Sequence, residues 1–248
     1  MLLRLPTSVS EARECLAEGA VPIGGATLLW AEWQRDGFPE RAMSLRGLPQ
    51  ANVIGGGTLG AAVVLNRIDD RVPDVLRLAA AAVGTGAVRR TATVGGNLVG
   101  STLRCLLPAA LVLDARASVL GPEGVQETDL AEVTAKRPLL LSLHWHEPVA
   151  SSYRKLPAEA GGRPPLAVAL ALYTDGTGHS RLHAAVRDGY DVISDSTMCD
   201  TGGDEALHAL HRTGLGDLPP TVWETVSEQV TELLRPAADR RAGGRPPG

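Results

Sequence analysis

The sequence predicts an α+β protein, with strands and helices alternating in a small N-terminal lobe and a strand meander followed by two helices at the C-terminal end. Three patterns carry that prediction. Short β-prone runs that stop at glycine alternate with segments of helical apolar spacing in the first 48 residues. Three β-prone runs follow one another closely between residues 151 and 188. Two amphipathic segments then repeat their apolar positions at helical spacing. The 248 residues, 44% apolar and 21% charged, suffice for a substantial core.

The elements follow in order. In Pro6–Gly19 Thr7 or Ser8 caps a helix, Glu11 stands three residues after Ser8 as in a capping box, and Gly19 ends it. Val21–Ile23 is a short strand before a glycine pair, and Leu28, Leu29 and Trp33 have helical spacing after it. Arg41–Leu48 is a second strand, completing a βαβ lobe over residues 1–48. Residues 49–150 form a glycine-rich second lobe: a hairpin around Gly55–Gly57, an alanine-rich helix ended by Gly84, loop and strand over 85–101, a buried helix at 103–115, and strands near 116–121 and 137–148. Residues 151–235 form the C-terminal sheet-plus-helices domain. Its last two strands meet at a turn from Asp175 to Gly178, and Pro219 and Pro220 open its final helix. Residues 236–248 have almost no apolar content and read as a disordered tail.

Composition excludes several functions. No apolar run approaches the ~20 residues of a membrane helix, so no membrane role is expected. A net charge of −4 argues against nucleic acid, and 3% aromatics leave little for a stacking platform. Cys15, Cys105 and Cys199 are odd in number and far apart, so neither a disulfide framework nor a zinc knuckle is expected. The N-terminus lacks a signal-peptide apolar core, and a cytoplasmic protein is expected. No metal site is expected: His144 and His146 share a strand face without a third ligand, and His208 and His211 suit the negative end of a helix. Cys105 reads as packing, because Arg104 beside it cannot serve as a base.

Two glycine loops stand out, Ile23-Gly24-Gly25-Ala26-Thr27-Leu28 and Ala92-Thr93-Val94-Gly95-Gly96-Asn97-Leu98. Each places a glycine pair after β-prone residues, where a backbone without Cβ atoms can approach a ligand and turn N–H groups toward an anion. A helix after Thr27 adds the positive field of its N-terminus. Neither loop has the spacing of a Rossmann or P-loop motif. Together they can hold the two phosphates of a dinucleotide.

With their surroundings, VPIGGATLLW, GGGTLGAAVVLNRI, GAVRRTATVGGNLVGS, PAALVLDARASVLGPEG and SYRKL resemble the FAD-binding medium subunit of molybdenum hydroxylases, which include carbon monoxide dehydrogenases and the flavin domain of xanthine dehydrogenases. The resemblance spans about residues 5–190. It implies the two-lobed FAD-binding fold of the vanillyl-alcohol-oxidase and xanthine-dehydrogenase type, with a small C-terminal α+β domain over the flavin. Ile23, Gly24, Gly25, Ala26, Thr27 and Leu28 then correspond to the first pyrophosphate loop, and Thr93, Gly95, Gly96 and Asn97 to the second. Lys155 corresponds to a position that approaches the flavin ring in some members. The resemblance further implies FAD as cofactor and electron transfer to partner redox subunits.

The sequence departs from the family just after the second loop. Thr102-Leu103 replaces a Ser-Pro pair, Leu106 stands where the family carries Asp, and Val64 replaces a common Thr. Three readings follow: an FAD-binding oxidoreductase-type protein acting on or beside a small organic substrate, in secondary metabolism, alone, as a homo-oligomer or with redox partners; a flavin-independent cyclase of the cycloaddition type; or a purely structural subunit of a larger complex. The cyclase would fold a polyketide-like substrate in a cleft made apolar by Val64, Leu103, Cys105 and Leu106. No catalytic acid or base is assigned.

Overall fold

The computed structural model describes residues 1–157, 162–200 and 202–235. The N-terminal lobe is a three-stranded parallel sheet of β1 (Leu2–Arg4), β2 (Val21–Ile23) and β3 (Arg41–Ser44), in the order β1-β3-β2. Helices α1 (Val9–Ala17) and α2 (Leu29–Asp36) are its crossovers. The capping box on α1 forms as the sequence requires: Ser8 Oγ accepts from the Glu11 N–H, and Glu11 accepts from the Thr7 N–H at 2.8 Å.

The second lobe is a five-stranded antiparallel sheet in the order β4-β5-β8-β6-β7, from β4 (Ile54–Gly55), β5 (Thr58–Gly60), β6 (Arg116–Gly121), β7 (Gly124–Thr128) and β8 (Leu139–His144). The β4–β5 turn is tight because Gly55, Gly56 and Gly57 all take positive φ. Helices α3 (Asp74–Ala81), α4 (Gly86–Arg89), α5 (Leu107–Val112) and α6 (Leu130–Lys136) complete the lobe. Leu59, Ala117, Val119, Leu140 and Leu143 of this sheet pack into the main core with α3 and α5. Leu120 and Leu141 pack instead with Ala12 of α1 and with Leu45, Leu48 and Ala51 in a smaller core.

The last unit is a four-stranded antiparallel sheet, β12-β11-β10-β9, from β9 (Ala150–Lys155), β10 (Ala167–Thr174), β11 (Ser180–Asp188) and β12 (Asp191–Met198). Helices α7 (Gly203–His211) and α8 (Pro220–Leu234) follow. Strict alternation makes this sheet a wall between two cores. Ala169, Ala171 and Ala185 belong to the main core with Ala109 and Ala110 of α5, where small side chains let helix and sheet approach closely. Val168, Leu170, Leu182 and Val186 point the other way, onto Leu210 of α7 and Val226 and Val230 of α8. Strand β9 also ties α3 at both ends. Ser151 Oγ accepts from the Val75 N–H in its first turn, and Lys155 Nζ donates to the Ala82 carbonyl at its C-terminus at 2.7 Å.

Four elements depart from the sequence reading. Strands β1, β7 and β12 and helix α6 are additional, and the stretch after Gly84 is mostly helical rather than loop and strand. Thr85 Oγ1 caps α4 by accepting from the Val88 N–H, and the second glycine pair winds into a wide helical turn over Gly96–Gly100. One β-bridge, Thr93 with Val64, is what remains of the expected strand. The tail expected at 236–248 lies outside the described residues. No helix among the described residues is long and apolar enough to cross a membrane.

Candidate functional site

The fold brings the two glycine loops into direct contact. A Cβ on Gly24 would lie 2.2 Å from Thr93 Oγ1, and one on Gly25 would lie 1.8 Å from the Thr91 carbonyl oxygen. The first glycine pair is thus the surface on which the second loop rests. Gly95 is confined on its other side, where a Cβ would meet the Ala61 side chain at 3.0 Å.

The loops contribute unequally. In the first, Ala26 takes φ +54, a left-handed turn of the kind that gathers consecutive N–H groups into an anion-binding nest. Among the described residues, the N–H groups of Gly25, Ala26, Thr27 and Leu28 have no protein acceptor. They stand at the start of α2, whose N-cap, Leu28, offers no side-chain hydrogen bond. Free donors at a helix N-terminus are the elementary apparatus for holding a phosphate.

In the second loop the donors are already used. The Gly95 N–H bonds to the Ala61 carbonyl, the Gly96 N–H to Thr93 Oγ1 at 3.2 Å, and the Asn97 N–H to the Thr93 carbonyl. What this loop brings to the joint is Thr93, itself buried, and an exposed Gly96.

Asn97 is buried and turned inward: its Oδ1 accepts from the Leu106 N–H at 2.9 Å, fixing the start of α5. Asn97→Ala leaves that buried N–H without a partner, and a loss of about 1–3 kcal/mol is expected in urea denaturation. Lys155 is likewise engaged in the fold, on the Ala82 carbonyl. Leu106 is fully buried in the main core and Cys105 nearly so; neither lines a cleft wall, and only Val64 and Leu103 of the four residues invoked for an apolar cleft are partly accessible.

His144 is half-buried on the face of the five-stranded sheet that carries Ser118 and Ser142. Its Nδ1 lies 3.1 Å from Thr58 Oγ1, and its Nε2 lies 3.0 Å from Ser118 Oγ and 2.9 Å from Ser142 Oγ. His146 is exposed beyond the strand end, and His211 stacks near Trp223 with ring centroids 4.8 Å apart. Among the described residues no group of three His, Cys, Asp or Glu is arranged to hold a metal.

Sequence reasoning missed a polar cluster where the second lobe meets the four-stranded sheet. Arg187 on β11 is buried, and Tyr153 on β9 carries a buried hydroxyl without a partner. Burial pushes the Tyr153 phenol up to about 12, with the nearby Arg187 charge opposing the shift. Strand alternation alone could have pointed to Arg187, since it shares the inward parity of Ala185.

A parallel βαβ lobe joined to an antiparallel second lobe, glycine loops meeting between them and a sheet closing one side, is the architecture of a two-lobed flavin domain. The family of the FAD binding domain in molybdopterin dehydrogenase matches residues 3–141, more than half of the chain, and the chain belongs to that family. Solved structures agree in fold. The reconstituted CO dehydrogenase from Oligotropha carboxidovorans superposes with a TM-score of 0.68 at 18% identity, over 94% of this chain and 96% of that one. Quinoline 2-oxidoreductase from Pseudomonas putida 86 gives 0.67 at 18% identity, over 97% of each chain. A carbon monoxide dehydrogenase from Hydrogenophaga pseudoflava gives 0.68 at 17% identity, over 97% of this chain and 98% of that one. Among curated proteins, none matches the sequence.

Proposed function

We propose that this chain binds FAD at the joint of the two glycine loops and serves as the flavin-carrying part of an oxidoreductase. The observation that carries the reading is the row of unengaged N–H groups from Gly25 to Leu28, around left-handed Ala26 and against Thr93. These groups take the pyrophosphate; Thr93 and Gly96 close the joint from the second loop. The remaining cofactor contacts proposed from the family resemblance, Ile23, Gly95, Asn97 and Lys155, act mainly by shaping these loops and the adjoining α3. When bound, FAD supplies a centre that accepts and releases electrons. The grip is made of main chain, so the Leu at position 106 does not remove it.

Electrons would pass between the flavin and partner redox subunits, with a small organic substrate oxidised or reduced elsewhere in such an assembly. The test is an FAD titration of the purified chain followed by desalting and an absorbance spectrum. Retention of equimolar FAD is the expected result; a colourless protein after desalting overturns the reading.

Lys155→Met separates anchoring of α3 from contact with the flavin. Losing the charge-assisted bond to Ala82 is expected to cost about 1–3 kcal/mol in urea denaturation. FAD retention is expected to persist, since the pyrophosphate grip lies on other residues.

A further inference from the structure

Arg187 is a cation only 1% exposed. Its Nη1 donates to the Leu103 carbonyl at 3.2 Å and lies 3.3 Å from Cys105 Sγ, while Nη2 donates to the Pro165 carbonyl at 3.0 Å. Its Nε has no partner, and among the described residues it pairs with no carboxylate. A buried charge without a counter-charge is a costly way to fill space, and an apolar side chain of the same volume would serve packing better. Holding main-chain carbonyls in place is something an apolar side chain cannot do.

The carbonyl and sulfur that Nη1 meets belong to one short segment, Leu103–Cys105, between the second glycine loop and α5. That segment contains Arg104 at φ +40, a conformation L residues rarely adopt, with its side chain drawn aside to the Thr134 carbonyl. The next residue is Leu106, whose N–H is held by Asn97. An unbroken line of contacts therefore runs from β11 through Arg187, Leu103–Cys105 and Leu106 to Asn97 and the glycine pair.

We propose that Arg187 is a positioning residue for the second glycine loop, a buried cation through which the four-stranded sheet sets the geometry of the pyrophosphate joint. This rests on the flavin reading above. It assigns to the C-terminal sheet a share in FAD affinity without any contact between Arg187 and the cofactor.

Wild type, Arg187→Met and Arg187→Lys, as full chains, are compared by amide hydrogen exchange without flavin and by FAD titration followed through protein fluorescence. In R187M, amides of residues 97–106 are expected to exchange about tenfold faster while those of β10 keep their rates, and the FAD Kd is expected to rise about tenfold. R187K, which keeps the charge but not the fork of donors, is expected to recover part of both effects. Unchanged exchange at 97–106 overturns the strut. Faster exchange with an unchanged Kd overturns its link to the cofactor. A wild-type chain without FAD affinity overturns the flavin reading, while the exchange comparison still decides the strut. Should R187M fail to fold, R187K and R187Q carry the same comparison.

Discussion

Gly25→Ala is expected to abolish FAD retention. The added methyl would stand 1.8 Å from the Thr91 carbonyl oxygen and 2.4 Å from its carbon, and both are main chain, with no side chain that can swing away. The loops must part, and the donors of residues 25–28 lose their place against Thr93. A loss of at least about a hundredfold in FAD affinity is expected, with about 2–3 kcal/mol of stability from overpacking. Gly100→Ala is the control, because a Cβ there meets nothing within 4 Å. Spectra after desalting and urea denaturation of both variants check the pair. Equal FAD retention by G25A and wild type would remove the joint from the site.

The second large effect reverses what the family pattern invites. Restoring an acidic residue by Leu106→Asp is expected to destabilise the protein rather than strengthen flavin binding. Leu106 is 0% exposed and lies in the main core. The variant removes a packed apolar side chain and places a carboxylate in the apolar main core. The combined penalty is expected to exceed about 4 kcal/mol, enough to unfold many domains. Circular dichroism and urea denaturation read the outcome directly. A folded L106D with tighter FAD binding would show that this segment turns toward the cofactor.

The boundaries of what the sequence discloses have physical reasons. Elements with a capping residue and an apolar period were legible: α1 through Ser8 and Glu11, and α8 through Pro219, Pro220 and its apolar face. Strand β12 was not, because Asp191-Val-Ile-Ser-Asp-Ser-Thr-Met is an edge with one covered side and little alternation to read. Strand β7, Gly124–Thr128, was hidden for the same reason, being an edge with exposed Val125, Gln126 and Glu127. The turn after Thr93 misled in the opposite direction, since glycine lacks helix propensity yet Thr93 supplies enough acceptors to close a helical turn.

At the candidate site the glycine pairs were legible as places of close approach. That they approach each other, and that only the first keeps its donors free, depends on contacts between residues 66 to 69 positions apart, which no local pattern encodes. The same holds for Asn97 and Lys155, whose side chains are polar in sequence but are spent on the Leu106 N–H and the Ala82 carbonyl.

The family match stops at residue 141, but the unit that folds does not. Ala169, Ala171 and Ala185 line the same core as Leu59, Leu106 and Leu143, so a fragment cut near that boundary would be a room missing a wall. Its α3 would lose Ser151 and Lys155 at its two ends and face water along its apolar side. Truncation and domain-swap experiments in this chain must therefore treat the two lobes and the terminal sheet as one inheritance.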